Sequence, residues 1–297
     1  MSNIHESEAA RNRAPFAEGD IAILYDRRRR RYRVVLRAGG NYSSHLGGIF
    51  HDEIIGRTEG FLAVTSKGHR VTVLRPTFQE SVYDIPRQSQ VIYPKDLGAL
   101  LMRLDLYPGA NVVESGLGSG ASAAAILRAI GPEGMLTTYE NRGAIVDAAR
   151  DNIQHLSPGS TNHNIVVADV YETGFAERNV DRLLLDLPEP WQAVGYAAES
   201  LRTGGVIAIY LPTVLQVHHV TEVMTADPRW RLVETTELIE RPWHVTEISV
   251  RPEHRMVAHT GFITTARRCE LYEEAPSEAG AYVEDVADDE PEEQDDE

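Results

Sequence analysis

An α/β chain with a mostly parallel sheet, preceded by a small all-β domain, is the fold class that three observations in the sequence predict. First, Val112-Val113-Glu114-Ser115-Gly116-Leu117-Gly118-Ser119-Gly120 leads from β-branched residues through alternating glycines into an Ala-rich run. This order reads as strand, tight turn and helix, because glycine lets the backbone turn sharply and a ligand approach it. Second, apolar β segments and helical segments alternate after residue 130, the pattern of a parallel sheet covered on both faces. Third, residues 20–74 hold only short β segments broken by Gly, Asn, Asp and basic turns.

Residues 1–16 are polar and are expected to be disordered. Segments 21–25 and 32–36 flank the turn 26–31, and 61–64 and 71–74 flank the turn 65–70. Two hairpins predict a small β-barrel or open sheet over 17–77. The five arginines Arg27–Arg31 suit RNA phosphates as well as they suit a solvated turn. A connector follows, carrying Gln90-Val91-Ile92-Tyr93-Pro94-Lys95-Asp96, in which Pro94 stiffens the entry and Asp96 is placed to cap a helix over 97–104. Beyond the glycine turn the sequence predicts a strand ending in Glu140, a helix over 144–155, and strands ending in Asp169 and Asp186. A helix over 190–201, a strand over 206–211 and a helix over 213–226 come next. Two late strands, 230–239 and 256–266, have no full helix between them, which suggests an antiparallel finish to a seven-stranded, Rossmann-like sheet. That finish leans towards a methyltransferase and away from a dehydrogenase.

The net charge of −16 is unevenly placed, since fourteen of the 45 acids and none of the 29 Lys and Arg fall in 269–297. The rest of the chain is nearly neutral, so the total does not exclude nucleic-acid binding. The acidic segment 269–297 reads as a disordered solubilising tail, with nucleic-acid mimicry as the other reading. One cysteine forms no internal disulfide, the polar start has no signal-peptide core, and no apolar run reaches the length of a membrane span. A cytoplasmic protein without a membrane anchor is expected. The histidines form no HExxH pattern and the lone Cys269 gives no zinc set, so no metal is expected. No Gly-x-Ser-x-Gly elbow is present either.

Three acids, Glu140, Asp169 and Asp186, end consecutive strands, and ligands of open α/β sheets bind beyond those ends. Glu140 suits the hydroxyls of a ribose, Asp169 an adenine amino group and Asp186 the substrate side. Any one of them also suits a helix cap. Gly116-x-Gly118-x-x-Ala121 satisfies the dinucleotide pattern, whereas Gly116-x-Gly118-x-Gly120 suits S-adenosylmethionine (SAM), so the turn alone leaves both open. In Asp186-Leu187-Pro188-Glu189-Pro190-Trp191, two prolines hold a carboxylate and an indole with little freedom. This stretch resembles the loop with which amino-directed adenine methyltransferases grip a base. Trp191 either stacks on an extruded base or anchors the loop.

Taken with Tyr210-Leu211-Pro212-Thr213, Gln216 and His259-Thr260-Gly261-Phe262, these motifs make residues 17–268 resemble the tRNA (adenine-58-N1)-methyltransferases of the bacterial and archaeal homotetrameric type. The resemblance implies a SAM-dependent methyltransferase domain over 78–268, a homotetramer, and the T-loop of tRNA as substrate. It implies that Glu114, Gly116, Leu117, Gly118, Ser119 and Gly120 line the methionine end of SAM, with Gln90 nearby. Glu140 would take the ribose, Asp169 and Val170 the adenine, and Tyr93 and Asp186 the target base. Leu117 departs from the family, which has a small residue at this point. The competing readings are an NAD-dependent oxidoreductase, a SAM-binding but inactive RNA-binding subunit, and a SAM enzyme acting on a small molecule or a protein.

Overall fold

The computed structural model describes residues 12–87 and 89–271, so most of the expected disordered start and acidic tail lies outside the described residues. The first part of the chain gives β1 (Ile21–Tyr25), β2 (Arg31–Val35), β3 (Asn41–Ser44), β4 (Gly47–Phe50), β5 (Phe61–Val64) and β6 (Arg70–Leu74). Four of these form an antiparallel sheet in the order β2-β1-β6-β5, and β3 pairs with β4 in a separate ribbon. The sheet is open, so of the two forms expected the closed barrel is set aside. Alternate residues such as Val71 and Val73 turn inward and close a core with Leu24, Leu36 and Ile54. Phe16, at the end of the segment expected to be disordered, is part of this core at 2% exposure.

A helix absent from the expectations, α1 (Phe78–Asp84), opens the connector. Thr77 and Glu80 form a reciprocal capping box there, a signature already present in the sequence. Next comes α2 (Pro94–Arg103), with Tyr93 at the N-cap position, where its side chain makes no capping bond, and Pro94 in the first turn. Asp96 is therefore not the cap; it is fully buried in the first turn.

The remaining chain gives β7 (Asn111–Ser115), α3 (Ala121–Ile130), β8 (Met135–Glu140), α4 (Val146–Leu156) and β9 (His163–Val167). It continues through α5 (Val170–Thr173), β10 (Val180–Leu185), α6 (Val194–Ser200), β11 (Leu201–Leu211) and α7 (Val214–Ala226). It closes with β12 (Trp230–Glu237), β13 (Trp243–Thr246), β14 (Ser249–Pro252) and β15 (Phe262–Arg268). Seven strands form one sheet in the order β12-β15-β11-β10-β7-β8-β9. Strands β7 to β11 run parallel, while β15 lies antiparallel between β11 and β12. The antiparallel finish is as expected from the sequence. An antiparallel strand inserted at this place is foreign to the dinucleotide order 3-2-1-4-5-6. On β7, Val112 packs in a core with Ile126 and Ile153, and Val113 in a second core with Leu183 and Val220. Both faces of the sheet are therefore covered.

Several boundaries differ from the expectations. The segment 190–201 is a 3-10 turn, Pro190–Gln192, followed by the short α6, because β11 already begins at Leu201. The last strand starts at Phe262 and not at 256, and the β13–β14 hairpin was not expected. No helix among the described residues is long and apolar enough to cross a membrane.

Candidate functional site

The strand order reverses between β10 and β8 at β7, which is the switch point where open α/β sheets take ligands. Three strands are pinched together there. The Asp186 N–H donates to the Ser115 carbonyl at 2.9 Å, and the Gly116 N–H to the Tyr139 carbonyl at 2.9 Å. Gly116 has φ +100°, and a Cβ on it would stand 2.1 Å from the Asp186 carbonyl oxygen. No other residue fits. Gly120 caps α3 at φ +84°, where a Cβ would meet Ile153 Cγ1 at 2.7 Å, so its bareness lets α4 close on the turn.

Between these glycines, Leu117 turns its side chain inward at 1% exposure, within the core that holds Ile92 and Leu97. Its bulk is absorbed by the core, which leaves only its backbone to face a ligand. Ser119 is buried too, and its carbonyl accepts from Asn152 Nδ2 at 3.1 Å. Glu114 lies below the turn at 0% exposure and does not line the cavity described next. Ser122 Oγ and Thr138 Oγ1 donate to its carboxyl, the latter at 2.8 Å, and burial pushes that carboxyl up to about 7.

A cavity of about 400 Å³ opens at the strand ends, lined by Gly116, Glu140, Arg142, Asp169, Val170 and Asp186 among others. The three strand-terminal acids do meet in one place. Glu140 accepts from the Gly118 N–H at 3.3 Å and the Arg142 N–H at 3.0 Å, and from Arg142 Nε at 2.9 Å and Nη2 at 3.2 Å. Burial works to raise this carboxyl, but the bonds from Arg142 and Gly118 outweigh it and hold it low. Asp169 caps α5 by accepting from the Tyr171 N–H at 2.9 Å, and its other oxygen accepts from Asn141 Nδ2 at 3.3 Å. Both the capping and the cavity-lining readings of Asp169 therefore describe it. Asp186 is pushed up to about 7 by burial and by the charge of Glu140, against a lowering pull from Arg142. Sequence reasoning missed Arg142 and Asn141. The signal for both was their position just after a strand-terminal acid.

The loop after Asp186 is clamped from three sides. Gln216 Nε2 donates to the Pro188 carbonyl at 2.9 Å, and the Glu189 N–H donates to Tyr171 Oη at 3.0 Å. Trp191 stacks on His219 with ring centroids 4.3 Å apart and 13° between the planes. The indole thus anchors the loop on α7 through one of its faces. Gln90 is exposed, and Tyr93 is half-buried with its ring edge-on to Tyr83. Neither lines the cavity. Their connector does run beside the turn, since Ser89 Oγ stands 3.0 Å from where a Cβ of Gly118 would be.

The connector is locked in place by Asp96. Its carboxyl takes Lys95 Nζ at 2.7 Å, Tyr210 Oη at 3.1 Å and Thr260 Oγ1 at 2.6 Å. Lys95 also donates to the Leu238 carbonyl at 2.7 Å. One buried ion pair with full hydrogen bonding thus joins α2 to the ends of β11, β12 and β15. Among the described residues, no group of three or more His, Cys, Asp or Glu side chains is placed to hold a metal ion.

Residues 69–261 match the family model described as the tRNA methyltransferase complex GCD14 subunit. The chain belongs to this tRNA methyltransferase family. Residues 15–62 match a second model, described as TrmI-like N-terminal. The chain is 32% identical to the tRNA (adenine(58)-N(1))-methyltransferase TrmI of Thermus thermophilus, over 83% of this chain and 96% of that protein. It is 30% identical to the Methanocaldococcus jannaschii tRNA (adenine(57)-N(1)/adenine(58)-N(1))-methyltransferase TrmI, over 82% and 94%. Among solved structures it is similar to a SAM-dependent O-methyltransferase of Thermotoga maritima, with TM-score 0.83, 31% identity and coverage of 88% and 97%. The TrmI tRNA methyltransferase of Aquifex aeolicus follows at TM-score 0.76, 26% identity and coverage of 86% and 99%. The fold is that of the SAM-dependent methyltransferases.

Proposed function

We propose that the chain transfers a methyl group from SAM to N1 of adenine 58 in the T-loop of tRNA. The observation that carries this is the meeting of Glu140, Asp169 and Asp186 in one cavity beside the glycine turn, in a member of this family. A cavity of about 400 Å³ falls within the range of small-molecule sites, and its acceptors suit a nucleoside. The residues present fit SAM. SAM, when bound, supplies an electrophilic methyl group on a sulfonium.

The turn Gly116–Gly120, whose Gly116, Gly118 and Gly120 N–H groups are bonded within the fold, lets the methionine end of SAM approach its bare backbone closely. Glu140 accepts the ribose hydroxyls. Its lone pairs are now filled largely by Arg142, so the guanidinium yields while the two backbone N–H bonds stay. Asp169 and Val170 frame the cofactor's adenine, with Asn141 steadying the Asp169 carboxyl. Gln90 closes over the turn from the connector, and Tyr93 meets the target base. Adenine N1 carries a free lone pair, so no base has to act first. Positive charge develops on the ring as the methyl arrives. Asp186, accepting from the exocyclic amine, stabilises that charge more than the neutral ring, which lowers the barrier. Alignment in the cavity supplies the rest.

An Asp186 that must be ionised gives a kcat/KM that rises with pH through about 7. The positive charge of bound SAM lowers that group, so the limb in kcat/KM for tRNA at saturating SAM lies at lower pH than the limb in kcat/KM for SAM. Stopped-flow or steady-state profiles from pH 5.5 to 9 check both; a flat profile contradicts the role. Glu140→Gln is expected to weaken SAM binding on the order of tenfold to a hundredfold, as loss of a charged acceptor to two hydroxyls does. Calorimetric titration of SAM reads it, and an unchanged Kd removes Glu140 from the site.

We extend the reading to two domains, 17–77 and 78–268, and to a homotetramer working in the cytoplasm, as the family resemblance suggests. The test of the function is methyl transfer from labelled SAM to an unmodified tRNA transcript, with nucleosides separated after digestion. 1-Methyladenosine is the expected product. A 2′-O-methylated nucleoside would keep the cofactor and move the acceptor from nitrogen to oxygen.

A further inference from the structure

The fold divides the arginine run. Arg30 pairs with Asp26 at 2.6 Å, and Arg31 pairs with Asp84 and, at 3.6 Å, with Glu80. Tyr25 Oη also donates to Glu80. The base of the turn is thereby fixed to α1, the helix that leads into the connector carrying Gln90 and Tyr93. Asp26 is consumed within the turn, taking the N–H groups of Arg28 at 2.8 Å and Arg30 at 2.9 Å. Arg27, Arg28 and Arg29 are left exposed, and their side chains make no ion pair or hydrogen bond among the described residues.

The neighbouring β5–β6 turn adds exposed Lys67, His69 and Arg70. Between the two turns lies a groove of about 440 Å³, lined by Tyr25, Arg27, Leu62, His69, Arg70 and Thr72 among others. It shares no residue with the cavity at the strand ends. Cations gathered on one edge repel each other, and the single carboxylate that lines the groove, Asp26, is already paired with Arg30. Outside 269–297 the chain is nearly neutral, so a local concentration of cations is what distinguishes this edge to a polyanion. Guanidinium forks match phosphate oxygens, and Leu62 with the Tyr25 ring gives the groove an apolar wall.

We propose that this edge of the four-stranded sheet binds the sugar–phosphate backbone of tRNA, at a distance from the adenine being methylated. The proposal rests on the function given above. It is tested with the full chain and the variant Arg27→Gln/Arg28→Gln/Arg29→Asn. Asn is chosen for position 29 because its φ is +59°. An unmodified tRNA transcript is titrated at several salt concentrations, and methyl transfer is measured in parallel. The variant is expected to bind tRNA about tenfold more weakly near 0.1 M salt, with the slope of log K against log salt reduced by roughly 2–3. Its kcat at saturating tRNA, its Kd for SAM and its melting temperature are expected to match the parent. Equal tRNA affinity and slope in the two proteins overturn the proposal, as does a loss confined to kcat. If the parent methylates tRNA and the variant behaves identically, this proposal alone falls. If the parent neither binds nor methylates tRNA, the function and this proposal fall together.

Discussion

Asp186→Asn is expected to lower kcat on the order of 100- to 1,000-fold, the usual cost of removing one charge-stabilising group from a preorganised site. SAM binding is expected to stay within a few-fold of the parent, since the proposed roles put Asp186 on the acceptor and Glu140 and Asp169 on the cofactor. The same variant carries an independent stability signature. Burial raises Asp186 from 3.8 to about 7, so between those values the folded chain keeps a proton that the unfolded chain releases. That contribution to stability is complete below 3.8 and is lost as pH climbs to about 7. Asn never ionises. The melting temperature of the variant relative to the parent should therefore rise from pH 5 to pH 7 and level off above. His163, lowered to about 4, titrates in both proteins, whereas Glu114, raised to about 7 in part by the charge of Asp186, is lowered in the variant, so the difference reports Asp186 together with its coupling to Glu114. Lost SAM binding with unchanged chemistry would instead make Asp186 a structural end to β10.

Gly116→Ala is expected to cost about 3 kcal/mol or more in unfolding free energy and to abolish SAM binding. Two effects add. A backbone at φ +100° is strained for any residue with a Cβ, and the new atom would stand 2.1 Å from a main-chain oxygen that no rotamer can move. Relief requires β7 and β10 to part at the switch point, which opens the floor of the cavity. Gly118→Ala is the internal comparison. Its φ of +52° lies in the left-handed region, and its Cβ would meet only Ser89 Oγ, at 3.0 Å. That change should cost about 1–2 kcal/mol. Urea unfolding of both variants decides the matter, and equal midpoints would mean the pinch at Gly116 is not what shapes the site.

The convergence of Glu140, Asp169 and Asp186 was legible because a parallel sheet brings the carboxyl ends of its strands to one edge, wherever the helices lie. The antiparallel finish was legible from the missing helix between the late strands. What was hidden depended on partners far along the chain. Asp96 carries a local capping signal, yet hydrogen bonds from Tyr210 and Thr260 hold it inside beside Lys95, and Tyr93 stands at the N-cap position without a side-chain cap. Leu117 looked too bulky for a cofactor turn, because nothing local says that the core around Ile92 and Leu97 has room for it. Trp191 gave no local sign that His219, on another helix, would stack on one of its faces and anchor it. The β13–β14 hairpin escaped notice because its apolar residues, Trp243, Val245 and Val250, are exposed and give no burial pattern.

The measurement that bears most directly on the central claim compares two unmodified tRNA transcripts that differ only at position 58. Each is incubated with labelled SAM and the full chain, then digested and resolved into nucleosides. 1-Methyladenosine is expected from the transcript with adenine 58 and none from the one in which that adenine is replaced. Equal labelling of both transcripts, or label in any nucleoside other than 1-methyladenosine, would contradict that claim.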